Sequence, residues 1–315
     1  RYGDCKDHVT LLEALLTAKG IPSSTALINA STAYNLPKVP AYVHSFNHVI
    51  TYIPEFNLFA DSTAQSAQFG VIPAAMVGKQ TLVSDSGTGK AILMNIPLAN
   101  VKTNYVSSEL NLTLDEKGNW QGTSSIEPIG VFDFNSRYIF GLVGQDTTQF
   151  AQRILNTTGQ SGSGSYTKSD KFDLSQPFKY ATKFELTNSL PIPGPSAFSI
   201  PRGLSSFEGI ASMVDTAQAK TRQFPLILTG GQFNEVIKIK LPSSLKLLNS
   251  PKAITINNKF GTYASTYSQE QGVLNVSRQL SLNYANPVLE SAIYSEFYEM
   301  VQAIQRDLKT QFLYQ

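Results

Sequence analysis

Residues 3–28, GDCKDHVTLLEALLTAKGIPSSTALI, decide how the first part of the chain folds. From Asp4 to Ala18 the apolar residues Val9, Leu12 and Leu16, with Leu11 and Leu15 beside them, recur at three- and four-residue spacings and predict an amphipathic helix. Gly20 suits its stop, and Ile21 to Ile28 reads as a short buried strand. Cys5, the single cysteine, sits at the start of the helix, where unpaired N–H groups and the helix dipole favour a thiolate. Asp4 and Asp7 work against that charge, so a reactive Cys5 needs a cationic partner.

Working outward, Phe46 to Ile53 and Leu58 to Ala60 flank a turn at Pro54 to Asn57 and predict a β-hairpin. His48 lies in its first arm, and Asp61 closes the second. Pairing Ile53 with Leu58 sets His48 across from Thr63 and diagonal to Asp61; pairing Ile53 with Phe56 sets it directly opposite Asp61. Both registers leave the two side chains on one face, and a one-residue slip separates them. Asp61 can then accept the N–H of one imidazole nitrogen while the other nitrogen faces the Cys5 sulfur, the base-plus-orienter logic of thiol acyl transfer. Plainer readings are a His48 satisfied by a backbone carbonyl and an Asp61 that caps the turn before Ser62 and Thr63. His44 and His48 with Asp61 as a third ligand would make a zinc site. His8, beside Asp7, reads as a solvated surface residue.

The remaining chain sets the wider bounds. Its 315 residues suggest about two domains. With 42% hydrophobic and 15% charged residues, it belongs among ordinary globular proteins. A net charge of +2 without a basic block gives no reason to expect a nucleic-acid partner. Apolar runs such as VIPAAMVG and FPLILTG fall short of the ~18 residues of a membrane-spanning helix. One cysteine excludes an internal disulfide and a thiolate metal cluster.

After about Gly78 alternating strands dominate. Leu110, Leu112 and Leu114 share a strand face, DEKGN turns the chain into a return strand through Trp120 and Ile126, and Ile237, Ile239 and Leu241 alternate with Lys238 and Lys240. A last hairpin spans about Phe260 to Tyr284. Asp146, with Gln149 three residues on, predicts a helical insert over 146–157, followed by a flexible Gly/Ser-rich connection, TTGQSGSGSYTKSD. SLPIPGPSAFSIPRG reads as a long proline-rich loop. Asn286 and Pro287 suit the cap and first turn of a C-terminal helix over 287–308, with Ile293, Phe297, Met300, Val301, Ile304 and Leu308 on one face.

The stretch GDCKDHVTLLEALLTAKGIPSSTALI, then FNHVITYIP and FADST, resembles the second half of the bacterial transglutaminase-like core, which is papain-like, over roughly residues 1–70. The segment KIKLP…YASTYSQEQGVLNVSRQLSL…F is similar to the β-rich region that follows this core in large bacterial proteins. The resemblance implies an α+β chain: residues 1–80 as the C-terminal part of the core, and residues 81–315 as a β-sandwich-like region with the helical insert and C-terminal helix. It implies Cys5 as nucleophile, His48 as base and Asp61 as orienting acid, acting on a protein or peptide substrate with no cofactor.

The outcome expected from such a triad is acyl transfer: peptidase or deamidase if water resolves the thioester, protein cross-linking if an amine does. The family's core has helices upstream of the cysteine and a residue there that helps to stabilise the oxyanion. With Arg1 so close before Cys5, the expectation is a fragment whose own activity is incomplete or absent. The resemblance implies a periplasmic or extracellular location. The competing expectation is a non-catalytic binding or structural module of a bacterial envelope protein, which exposed aromatics such as Trp120 or an uncovered strand edge would favour.

Overall fold

Helix α1 (Cys5–Ala18) starts at Cys5 because Asp4 caps it: the Lys6 N–H donates to Asp4 Oδ1 at 2.8 Å, and Asp7 Oδ2 accepts from the Asp4 N–H at 2.9 Å. The two carboxylates that oppose a thiolate are thus the ones that terminate the helix. The computed structural model describes residues 3–31, 36, 45–84, 89–98, 100–187, 190–204 and 208–315. It divides into two compact units, Arg1–Ala99 with Ala285–Val288, and Asn100–Tyr284 with Leu289–Gln315.

In the first unit β1 (Ser24–Ile28), β2 (His48–Ile53), β3 (Leu58–Ala60), β4 (Gln80–Val83) and β5 (Ile92–Asn95) form an antiparallel sheet in the order β3-β2-β1-β4-β5. β4 begins at Gln80 and β5 at Ile92, both after the change of character near Gly78, and they extend this sheet through β1. The core gathers Ala26, Ile28, Ile50, Tyr52, Phe59 and Val83 from the strands with Ile72 and Met76 from the segment after β3. α1 lies against β2 and contributes the buried Val9, which is why β2 is buried at every position after His48.

The second unit is built on an eight-stranded sheet. In chain order its strands are β6 (Tyr105–Leu114), β7 (Trp120–Ile129), β8 (Gly162–Lys168), β9 (Tyr180–Leu186), β12 (Gly231–Lys240), β13 (Ile254–Asn258), β14 (Gly261–Glu270) and β15 (Val273–Leu282). They lie in the order β13-β14-β15-β12-β6-β7-β9-β8. The chain is therefore α+β, as the sequence predicts. The two strand groups join edge to edge through the parallel pair β6–β12, so these strands make one curved sheet in place of a sandwich's two facing sheets. Leu110, Leu112, Leu114, Ile237, Ile239, Leu274, Val276, Leu280 and Leu282 occupy the alternating buried positions that the sequence pattern assigns.

Four readings change. The Gly/Ser-rich connection is an edge strand, β8, where Gly162 and Gly164 are required because a Cβ at either would run into the backbone of Glu185 or Lys183 on β9. The proline-rich loop contains β10 (Ser196–Phe198), which pairs with β17 (Phe312–Tyr314). The C-terminal helix, α5 (Ser291–Leu308), begins after Glu290; Asn286 Oδ1 accepts from the Val288 N–H at 3.0 Å, so Asn286 and Pro287 make a turn ahead of the helix. Trp120 is buried and packs edge-on against Phe198, so it is no exposed binding aromatic. The expected insert is present as α3 (Thr147–Thr157), capped by Asp146.

Ahead of α3, helix α2 (Val131–Val143) has no counterpart in the sequence reading, because its buried face carries Asp133 and Arg137. Their bond, Arg137 Nε to Asp133 Oδ1 at 2.6 Å, sits where a periodic pattern would have Leu or Ile. On the same helix, Ser136 Oγ donates to Glu208 Oε2 at 2.6 Å. Burial drives the Glu208 carboxyl from its ordinary 4.5 up to about 7, against the hydrogen bonds of Ser136 and Asn135 and helped by the charge of Asp133. A raised carboxyl stabilises the fold at acid pH, and that contribution is lost as pH rises from 4.5 through about 7. Thermal unfolding followed at both ends of this window checks it. Glu208→Gln should lose the decline and melt a few degrees, ~3 °C, above the parent on the alkaline side, with no gain on the acid side.

Candidate active site

The turn Pro54–Phe56 with Asn57 in a left-handed conformation (φ 46°) joins β2 to β3 and pairs Ile53 with Leu58. Of the two registers open to the sequence this is the first, with Asp61 diagonal to His48. Across that diagonal His48 Nε2 and Asp61 Oδ2 lie 3.0 Å apart. A carboxylate oxygen can only accept, so Nε2 is the N–H donor and Nδ1 of the neutral ring keeps its lone pair. The other carboxylate oxygen, Oδ1, accepts from the Thr63 N–H at 2.9 Å and from Thr63 Oγ1 at 2.6 Å. Asp61 therefore both caps the turn before Thr63 and orients His48, which combines two readings that the sequence sets apart. The His48 side chain is 15% exposed and the Asp61 side chain 4%.

Burial pushes the Asp61 carboxyl upward, but the hydrogen bonds from His48 and Thr63 together outweigh it and hold the group below its ordinary 3.8. Asn47, the residue before His48, ties the start of β2 to the segment after β1: its Oδ1 accepts from the Ala30 N–H at 2.7 Å and its Nδ2 donates to Ser31 Oγ at 2.5 Å. Asn47 and Thr63 carry no sequence signal of their own, since each acts by a local hydrogen bond that many polar residues could make.

Cys5 is a free, half-buried thiol on the first turn of α1. It lines a cleft of about 750 Å³ together with His48, Val9, Leu27, Phe46 and Val49. The structure thus brings His48 and Asp61 into direct contact, and Cys5 and His48 line the same cleft. His8 differs from its expected role as a solvated residue: it is half-buried, and its Nδ1 donates to the Ser62 carbonyl at 3.1 Å. His44, the extra ligand of the zinc reading, lies outside the described residues. Among the described residues no group of three or more His, Cys, Asp or Glu side chains could hold a metal ion. Nor is any helix among them long and apolar enough to cross a membrane.

Comparison with known proteins adds two likenesses. Residues 205–314, which apart from Ala285–Val288 belong to the second unit, match a family described as a domain of unknown function with solved structure (DUF3858). The fold is similar to a solved structure from Parabacteroides distasonis ATCC 8503 described as "a putative protease", with a TM-score of 0.51 and 13% sequence identity over 99% of this chain and 44% of that one. The chain spans under half the length of that protein. None of the curated proteins matches this chain.

The electrostatics of Asp61 give a test. A depressed carboxyl contributes stability that is fully present above 3.8 and disappears as pH falls through its folded-state value. Asp61→Asn should cost ~1–2 kcal/mol in denaturant unfolding at neutral pH, and the gap between variant and parent should close below pH 3.8. A gap that stayed constant well below pH 3.8, into the acid unfolding range, would mean the carboxylate charge contributes nothing.

Proposed function

We propose that the first unit is the cysteine–histidine–aspartate portion of a transglutaminase-like thiol acyl-transfer core. The observation that carries this reading is the His48 imidazole, fixed through Nε2 by Asp61 and left with Nδ1 free to take a proton, in the cleft that Cys5 lines. In the reaction the Cys5 sulfur attacks an amide carbonyl carbon, and the thiol proton passes to His48 Nδ1. The tetrahedral adduct collapses with cleavage of the C–N bond, and His48 returns the proton to the departing amine. The resulting thioester is resolved by water, as in a peptidase or deamidase, or by a second amine, as in cross-linking. Asp61 keeps the imidazole in the tautomer this requires and stabilises the imidazolium.

The substrate is a protein or peptide amide, and no metal or organic cofactor enters the chemistry. The residue pattern of GDCKDHVTLLEALL, FNHVITYIP and FADST supports the reading, as does the description of the Parabacteroides neighbour as "a putative protease". By the same resemblance the protein works in the periplasm or outside the cell.

Thiol alkylation reads the Cys5–His48 partnership without requiring turnover. Iodoacetamide should modify Cys5 at pH values well below the ~8.5 of a free thiol, and His48→Ala should slow that reaction at least ~10-fold near neutral pH. Equal, slow rates in both proteins would leave the first unit as a non-catalytic module.

A further inference from the structure

His8 lies three residues beyond Cys5, on the same face of α1 and about 4.5 Å further along the axis. Its Nδ1 reaches the carbonyl of Ser62, the residue that follows Asp61. The backbone between Asp61 and Thr63 is a crowded junction. Asp61 holds His48 with one carboxylate oxygen and Thr63 with the other, and Ser62 presents its carbonyl to the cysteine helix.

Resting on the acyl-transfer reading above, we propose that His8 is a positioning residue of the site: it ties the cysteine-bearing turn of α1 to the loop that carries Asp61, and so sets the reach from Cys5 to His48. The Ser62 hydroxyl is buried with no hydrogen-bond partner, so the grip on α1 passes through the Ser62 carbonyl and not its side chain. A second tie, Thr25 Oγ1 to Glu13 Oε1 at 3.0 Å, lies towards the other end of the helix and leaves the Cys5 turn to His8. A carbonyl only accepts, so Nδ1 carries the hydrogen and donates it to Ser62. Misplacement of a reacting group by ~1 Å costs on the order of 100-fold in rate, which is the scale on which such a tie acts.

The experiment is the pH profile of iodoacetamide alkylation of Cys5 in the full chain, for the parent, His8→Ala, His8→Asn and Ser62→Ala, with thermal unfolding of each. His8→Ala should react about 10-fold more slowly near neutral pH, its profile displaced towards that of a free thiol. His8→Asn, whose Nδ2 can occupy the place of the imidazole Nδ1, should recover to within about threefold of the parent, and Ser62→Ala should match the parent within about twofold. His8→Ala at the parent rate, or His8→Asn as slow as His8→Ala while still folded, overturns the proposal. A parent no faster than His48→Ala overturns the acyl-transfer reading and the role of His8 with it. That outcome is distinguishable because it shows before any His8 variant is compared.

Discussion

The site depends on the register of one short hairpin. Asn57 adopts φ 46°, a conformation open to Asn at little cost, and its Oδ1 accepts from Tyr52 Oη at 3.1 Å. That turn fixes Ile53 against Leu58, and the period-two alternation of a strand carries the consequence to Asp61. A one-residue slip would bury Asp61 without His48 and turn the buried Phe59 to the opposite face. The core of the first unit and the geometry of the candidate site therefore rest on the same constraint.

The second unit uses buried charge in an otherwise apolar interior. Arg137, 1% exposed, satisfies its guanidinium on Asp133 and on the carbonyls of Lys171, Asp173 and Gln176, while Asp133 Oδ2 accepts from the Phe178 N–H. One side chain thus closes the segment between β8 and β9. On α5, Asp307 accepts from Tyr263, Ser265 and Tyr267 on β14 and sits 3.5 Å from Arg278 on β15. Such groups are costly to bury and are retained only with their partners in place. They fix which face of α2 and of α5 turns inward, which apolar packing alone leaves looser.

Much of this was legible in the sequence because it is written in local periodicity. The spacing of Val9, Leu12 and Leu16 specifies α1, the alternations at Leu110–Leu114 and Ile237–Leu241 specify β6 and β12, and Asp146 specifies the start of α3. Two elements and the start of a third escaped for physical reasons. β8 is poor in apolar residues because its glycines make room for the backbone of β9. α2 hides a salt bridge where apolar residues would signal a helix. Asn286 and Pro287 have cap chemistry, but a turn uses the same chemistry, and only the bond to Val288 separates the two.

The same division holds at the site. Residue order alone supplies the chemical inventory: a cysteine at a helix N-terminus, a histidine in the first arm of a hairpin and an aspartate past the second, spaced so that either in-phase register puts the last two on one face. Tertiary structure decided the register, the imidazole nitrogen that faces Asp61, the double duty of Asp61 between His48 and Thr63, and the docking of His8 on Ser62. The physical reason is separation along the chain. Helix and strand patterns arise from neighbours a few residues apart, whereas the bonds of His8 and His48 span 54 and 13 residues and exist only once α1 and the hairpin have packed.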